Sequence, residues 1–392
     1  MIDDARGRVL VAGGGIAGLA AARALHRRGV PVLALERRTA PEDGGLAINL
    51  PGNAVQALGQ LGLGDALERV GSPVRRREYR THRGQLLFAV DEAAFWGEAA
   101  CPRCLRRSDL QRLLGQDLPP EAIRRGGTIR AVRATASGVS VDLGEGGVEQ
   151  GGLLVGADGV HSTVRRSMFG EQATRAAVLG QASWRFMAPN PGINAWTLWA
   201  GAGGLFLLIP VDTGTVYGWV SISRTGAGER DLAKVRRVFA PFPRLVQDTL
   251  DRVLVHPDAI HHSPLEEVRI ARWTQGRVLL AGDAAHATAP VWAQGAALAL
   301  EDALVLADLL AREADWNTVG LAYEARRRPR VAHVQAMTDR LSRTAALPDW
   351  ARNRLLPVIG PRSYRAAYAP LREPVSVWER TGDGRGTPVQ GA

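Results

Sequence analysis

Three short runs rich in glycine and aspartate carry most of the chemistry legible in this chain. The first is Gly13-Gly14-Gly15-Ile16-Ala17-Gly18. The second is Gly156-Ala157-Asp158-Gly159-Val160-His161-Ser162. The third is Gly282-Asp283-Ala284-Ala285-His286, followed by Pro290 and Gln294-Gly295. Gly13, Gly15 and Gly18 have the spacing that allows a tight turn, close approach of backbone to a pyrophosphate, and packing of a helix on a sheet. The amides and partial positive charge at a helix start suit phosphates. Glu36 offers a carboxylate to ribose hydroxyls, with Arg37 beside it. Arg107 can reach a pyrophosphate as a bidentate donor, or be one more surface arginine; spacing allows both. Asp158-Gly159 alone reads as a turn. Asp283 follows an apolar run, where a carboxylate can hold polyol hydroxyls, and the helix beyond Pro290 and Gly295 points its positive end the same way.

The elements that must position these residues follow from apolar periodicity. Arg8–Ala12 is a buried parallel strand. A helix runs from Ile16 to Arg28 and Gly29 stops it. Val32–Leu35 is the second strand, ending at Glu36. Asn53 to Leu67 reads as one helix, and Ser108-Asp-Leu-Gln111 as a capping box opening another. Short alternating strands lie between Ile129 and Val141, and Leu153–Ala157 is again a buried strand. From about Ala173 to Ile270 helical periodicity is scarce. Phe206–Ile209 and Val216–Val220 flank the turn signal Asp212-Thr-Gly-Thr215, a hairpin pattern, with some helix near Leu232–Leu250. Val278–Ala281 returns to buried strand, and helices follow over Ala296–Arg312 and about Thr318–Arg343.

Composition removes several classes of function. The chain has 392 residues, 46% hydrophobic, and a net charge of +10. Of its 49 basic residues only Lys234 is not arginine. The arginines are scattered and no nucleic-acid-binding motif accompanies them, so no nucleic-acid partner is expected. Cys101 and Cys104 form a lone pair without the second pair a zinc site needs, and no metal is expected. The acidic start Met1-Ile2-Asp3-Asp4 is not a signal sequence and no apolar run spans a bilayer, so no membrane partner and a cytoplasmic location are expected.

Together the motifs resemble the class A single-component flavoprotein monooxygenases, the para-hydroxybenzoate hydroxylase-like aromatic hydroxylases. The glycine opening, Arg107-Ser-Asp-Leu110, Asp158-Gly159 and Gly282-Asp283 match that family in order and spacing. So do Ile48-Asn-Leu-Pro-Gly-Asn53 and Tyr323-Glu-Ala-Arg-Arg-Arg-Pro329. The resemblance covers about residues 8–345. It implies an α/β fold with a Rossmann-like FAD-binding domain (1–72, 101–172 and 271–345). A mainly antiparallel β-sheet substrate domain (73–100 and 173–270) interrupts it, and C-terminal helices (346–380) and an unstructured tail (381–392) follow. It further implies that Glu36 binds the adenosine ribose, Arg107 the pyrophosphate and Asp283 the ribityl-phosphate. Asp158 serves the motif shared between FAD and the pyridine nucleotide, and Pro290 lies near the reactive carbon of the flavin. The implied reaction uses NADPH or NADH to reduce FAD; O2 then adds at flavin C4a, and the hydroperoxide delivers one oxygen atom to an aromatic or polycyclic small molecule. One departure stands out. The family usually has Gly-Gln-Gly where this chain has Ala293-Gln294-Gly295, preceded by Trp292.

Seven aromatic residues cluster between Trp184 and Trp219. Trp184, Trp199, Trp219 and Trp292 are candidates for the wall of a substrate pocket, although alternation in a sheet must turn half of the cluster into the sheet's own core. Arg185 and Tyr217 are the polar candidates for orienting a phenol or acid, catalytic in concert with Pro290. Baeyer–Villiger or epoxidising outcomes on the same scaffold, or a flavin-holding protein not reduced by NAD(P)H, are the alternatives. A biosynthetic tailoring role and a monomeric or homodimeric state complete the expectations.

Overall fold

Strands Val9–Ala12, Leu153–Gly156 and Val278–Leu280 are buried at every position, as parallel strands covered on both faces must be. In the computed structural model they form the centre of a sheet with six strands among the described residues. Its order is Thr274–Gln275, Val278–Leu280, Leu153–Gly156, Val9–Ala12, Val32–Glu36, Ile123–Arg125. All neighbours are parallel except the first pair. The residues described are 7–40, 45–170, 176–201, 203–222, 231–345, 348–375, 378–380 and 386–388. Helix Ile16–Arg27 packs on this sheet and against helix Gln294–Arg312, which is buried along most of its length.

The second sheet has seven strands among the described residues, in the order His261–Val268, Ala176–Pro189, Thr215–Ile222, Gly204–Pro210, Trp196–Gly201, Arg76–Thr81, Leu86–Asp91. Its pairs are antiparallel except Trp196–Gly201 with Arg76–Thr81. Thr215 to Ile222 and Gly204 to Pro210 form the hairpin expected from the turn signal. One face is covered by helices Leu232–Phe239 and Arg244–Leu254, which close a separate apolar core over Phe186, Phe206, Val220, Phe239 and Leu250. The opposite face meets a small sheet of Ala47–Leu50, Arg103–Arg106 and Ser72–Pro73 through Trp196, Ile209, Cys104 and Ala47.

Three local expectations are corrected. Asn53 to Leu67 is not one helix but two, Gly52–Gln60 and Gly64–Val70. Gly62, at φ +74°, takes the left-handed conformation that ends a helix. The capping box at Ser108 does not form. The helix is Arg107–Gly115, its cap position is Arg106, and no side chain caps it. The Arg107 amide instead donates to the Leu46 carbonyl at 2.9 Å, so the preceding strand pairing sets the helix start. Of the tail expected to lack structure, Gly386–Pro388 pairs antiparallel with Trp378–Arg380; residues 381–385 and 389–392 lie outside the described residues. The C-terminal helix Asp349–Tyr368 packs on strand Leu86–Asp91.

Candidate active site

The first glycine run is shaped by close approaches. Gly13 has φ +105°, and a Cβ there would lie 2.6 Å from the Ala157 carbonyl oxygen. A Cβ on Gly18 would lie 1.8 Å from the Gly13 carbonyl oxygen, so the third glycine lets the helix close against its own loop as well as the sheet. Gly15, which caps helix Ile16–Arg27, faces open space: nothing lies within 4 Å of a Cβ built on it. That helix has no acidic residue in its first turn to compete for its amides. Glu36 closes the loop from the side, accepting from the Gly14 amide at 2.5 Å and the Arg38 amide at 2.9 Å. A carboxylate has about four acceptor positions, so two amides leave capacity for hydroxyls. Arg37 is exposed and makes no side-chain hydrogen bond among the described residues.

Asp158 is turned toward its own chain. It accepts from the Ser162 hydroxyl at 2.5 Å and from the Thr163 and Val164 amides at 2.6 and 3.1 Å, capping helix Thr163–Phe169 together with Ser162. Buried Arg165 then joins the second motif to the third, donating to the Val160 carbonyl at 2.6 Å and the Ala284 carbonyl at 2.8 Å. In the third motif, Gly282 is wedged between the two long helices, where a Cβ would meet Ala17 at 2.8 Å and Ala299 at 3.4 Å. Asp283 is accessible to solvent yet lies among surrounding protein. That burial raises its pKa, against the opposing pull of His286 and Arg107. A Cβ on Gly295 would be 3.7 Å from the Asp283 carboxylate, which sets Asp283 at the start of helix Gln294–Arg312. Exposed Pro290 opens the 3₁₀ turn leading into that helix.

Behind the third motif lies a buried polar network that reading the sequence did not find. The Asp302 carboxylate accepts from the Gly282 amide at 2.9 Å and from Arg327 at 2.7 Å, and sits 2.7 Å from His286 Nε2. Glu301 accepts from Arg327, Asn53 and Arg330 at 2.9, 2.9 and 2.8 Å. Asn53 and Gln294 exchange hydrogen bonds at 3.0 and 3.2 Å. Burial opposes ionisation of Asp302, but His286 and Arg327 outweigh it and hold its pKa below the ordinary value. The available signal was two adjacent acids, Glu301 and Asp302, in a mainly apolar helix.

On the face of the seven-stranded sheet away from its covering helices, Arg185 stands directly across from Trp219, and Met187 from Tyr217. Arg185 donates to the Ser263 hydroxyl, while its Nε is buried without a partner among the described residues. Trp219 is 6% exposed and its indole N–H likewise has no acceptor among the described residues. Burial lowers the pKa of Arg185, Arg107 adding to the effect and Tyr217 opposing it. Burial pushes the Tyr217 phenol up to about 12 against the influence of Arg185. Arg107 is exposed, and its charge acts on Asp283, Arg185 and Tyr217 alike.

Two of the pocket candidates lie on the helix-covered face of the sheet. Trp184 lies opposite Val220, and Trp199 opposite Phe206, both in the helix-covered core at 3% and 5% exposure. The period of two in a strand sends them away from Arg185 and Tyr217. The unpaired indole N–H of Trp184 belongs to that far face, where its ring lies 5.1 Å from His262. Trp292 is half-buried, edge-on to Tyr368 at 5.7 Å, and its carbonyl accepts from the Tyr368 hydroxyl at 2.9 Å. Ala293 takes φ +55°, one of two non-glycine residues with positive φ among those described. Cys101 and Cys104 are buried free thiols; burial pushes up the pKa of Cys104 within the apolar layer beneath Tyr217.

A glycine loop open above Gly15, a helix start free of acids and an accessible carboxylate at a second helix start define a dinucleotide-binding flavoprotein. The sequence matches the family described as FAD binding domain over residues 6–338. It is 31% identical to aurachin C monooxygenase/isomerase of Stigmatella aurantiaca over 368 residues, covering 89% of this chain and 93% of that one. It is 30% identical to 2-heptyl-3-hydroxy-4(1H)-quinolone synthase of Pseudomonas aeruginosa, covering 93% and 97%. The structure of Klebsiella pneumoniae HpxO complexed with FAD and uric acid superposes with a TM-score of 0.77 at 27% identity, covering 93% of this chain and 92% of that chain. The chain belongs to the class A FAD-dependent monooxygenases, the family of the aromatic hydroxylases. FAD is its cofactor, and the cradle around Gly15, Asp283 and Gly295 fits that group.

Proposed function

We propose that this monooxygenase hydroxylates a planar aromatic or polycyclic small molecule bearing an acidic oxygen, at the expense of NAD(P)H and O2. One observation carries the reading: Arg185, Tyr217 and Trp219 share one sheet face, and two buried donors there, Arg185 Nε and Trp219 Nε1, have no acceptor among the described residues. An unmet buried donor costs about 1–3 kcal/mol, so a ligand oxygen that satisfies it gains that much. In this reading Arg185 holds an oxyanion, the Tyr217 phenol donates a hydrogen bond, and Trp219 offers an aromatic wall. Bound FAD supplies the reducing equivalents taken from NAD(P)H and the activation of O2.

Gly13, Gly15 and Gly18 with the helix start receive the pyrophosphate, aided by Arg107. Glu36 receives the adenosine ribose and Asp283 the ribityl chain, while Pro290 and Gly295 lie beside the flavin ring. Asp158 acts by holding the second motif in shape, through the caps that engage both of its carboxylate oxygens. Arg37 and Trp292 complete the cofactor and pocket rims. Relatives named for a hydroxyquinolone and for urate support an acidic heteroaromatic substrate. The reading places the enzyme in the cytoplasm, where reduced nicotinamide is available.

The test is oxidation of NADH and of NADPH by the purified FAD-loaded protein, with and without phenols, indoles, quinolones and polycyclic quinones, with labelled O2 traced into product. Strong stimulation by an acidic aromatic compound, with one labelled oxygen incorporated, is the expected result. Arg185→Met should raise KM for that compound about tenfold or more, equal to about 1.4 kcal/mol. An unchanged KM in Arg185→Met would remove Arg185 from the substrate site.

A further inference from the structure

The largest apolar residues left exposed are not spread evenly over the surface. Trp350, Leu355, Val358 and Ile359 are 76%, 45%, 62% and 36% exposed, and all four lie on the C-terminal helix Asp349–Tyr368. The inner side of that helix is anchored by buried Gly360, Tyr364, Ala367 and Tyr368, with Gly360 set tightly against Phe88. Its outer side therefore cannot turn inward to hide them. Strand Leu86–Asp91 beneath the helix adds Leu86, 47% exposed. The helix lies beyond residues 6–338, the span of the FAD-binding match.

Basic residues are interleaved with this apolar face. Arg354, Arg362 and Arg365 are exposed, and none has an acidic partner among the described residues. The helix contains one acid, Asp349, and it hydrogen-bonds to Arg352 at 2.8 Å. A second copy of the chain is a poor occupant. A two-fold interface would set these three arginines against the same basic helix of a second copy, which carries a single acid, Asp349, to offset them. An acidic, apolar surface satisfies both features at once. Helices that lie in the interfacial plane of a membrane bury apolar side chains below the headgroups and extend arginines to the lipid phosphates. No helix among the described residues is long and apolar enough to cross a membrane, so the contact is with one leaflet.

We propose that the outer face of helix Asp349–Tyr368 docks the enzyme reversibly on a membrane surface containing anionic lipid. Trp350, Leu355, Val358 and Ile359 enter the headgroup boundary, and Arg354, Arg362 and Arg365 pair with lipid phosphates. This requires no element of the FAD cradle.

The test uses the full-length FAD-loaded protein and vesicles of phosphatidylcholine with or without phosphatidylglycerol. Co-sedimentation with the anionic vesicles but not the neutral ones is expected, weakening as salt rises, with a blue shift of tryptophan emission as Trp350 leaves water. Val358→Ser with Ile359→Ser should lower the bound fraction roughly tenfold, as should Arg354→Gln with Arg362→Gln, since interfacial binding sums apolar and ionic terms. FAD content and NAD(P)H oxidation in solution should not change in either variant. Failure of the wild type to bind anionic vesicles, or binding by both variants that equals wild type, overturns the proposal. So does a stable wild-type dimer in sedimentation velocity that Val358→Ser with Ile359→Ser converts to monomer, because the face would then belong to a second copy.

Discussion

Ala293 is held in a conformation that glycine adopts freely and alanine does not. Its φ of +55° and ψ of +26° place its Cβ against the following backbone, at a cost of about 1–2 kcal/mol. Glycine relieves that strain but loses about 0.5–1 kcal/mol of chain entropy. Ala293→Gly should therefore stabilise the protein by ~0.5–1 kcal/mol, read as a higher denaturation midpoint with an unchanged slope. Gly18→Ala should have the opposite character, because the added methyl would meet the Gly13 carbonyl oxygen at 1.8 Å. The loop must open to admit it, and the purified variant should lose bound FAD, measured by the absorbance of the folded protein. Tyr217 illustrates a different residue-scale effect. With its pKa pushed up to about 12, the phenol stays protonated throughout the working range. Tyr217→Phe should lower kcat/KM without altering the shape of the pH–rate profile below about pH 10. A profile that loses a limb in the variant would show that Tyr217 titrates during turnover.

At the scale of elements, the two faces of the seven-stranded sheet have different duties. Trp199 fills the core under helices Leu232–Phe239 and Arg244–Leu254. Trp199→Ala should cost about 3–5 kcal/mol of stability, while KM in the surviving folded fraction stays near wild type. Trp219→Phe should do the reverse, altering KM with little change in unfolding midpoint. Helices Gln294–Arg312 and Trp316–Ala345 are joined through Asp302, Glu301 and Arg327, each nearly inaccessible. Asp302→Asn leaves Arg327 short of a charge partner and weakens the tie to the Gly282 amide. A broken buried pair of this kind costs about 3–5 kcal/mol, to be measured by equilibrium unfolding.

For the whole molecule, the same aspartate determines how stability responds to acid. The folded pKa of Asp302 lies below the ordinary 3.8, so its stabilisation is fully present above that value. It is lost as pH falls through the lower folded value, because the native state must then take up a proton that the unfolded chain has already bound. Stability should fall steeply below about pH 4 in the wild type and less steeply in Asp302→Asn. Equal slopes in the two proteins would remove Asp302 from the acid transition.

How much of this molecule could be read in advance depended on the range of the interaction involved. The glycine loop, Val9–Ala12, Val32–Glu36 and the Gly204–Ile222 hairpin are local patterns, in which spacing and periodicity declare turn, helix and strand without reference to distant residues. The order of the three motifs, with Glu36, Arg107 and Asp283 between and after them, sufficed for the FAD-binding class and the flavin chemistry. Tertiary structure decided the rest. The capping box at Ser108 lost to strand pairing that carries the chain into Arg107. Trp184 and Trp219 are the same residue type in neighbouring strands, and only strand register, set by pairing with Val220 and Arg185, sends one to the helix-covered core and the other to the opposite face. The partners of Asp302 and Asn53 lie up to 248 residues away along the chain. A carboxylate's partner is set by which helices pack together, and that choice is made by the apolar surfaces of the whole fold, not by neighbours in sequence.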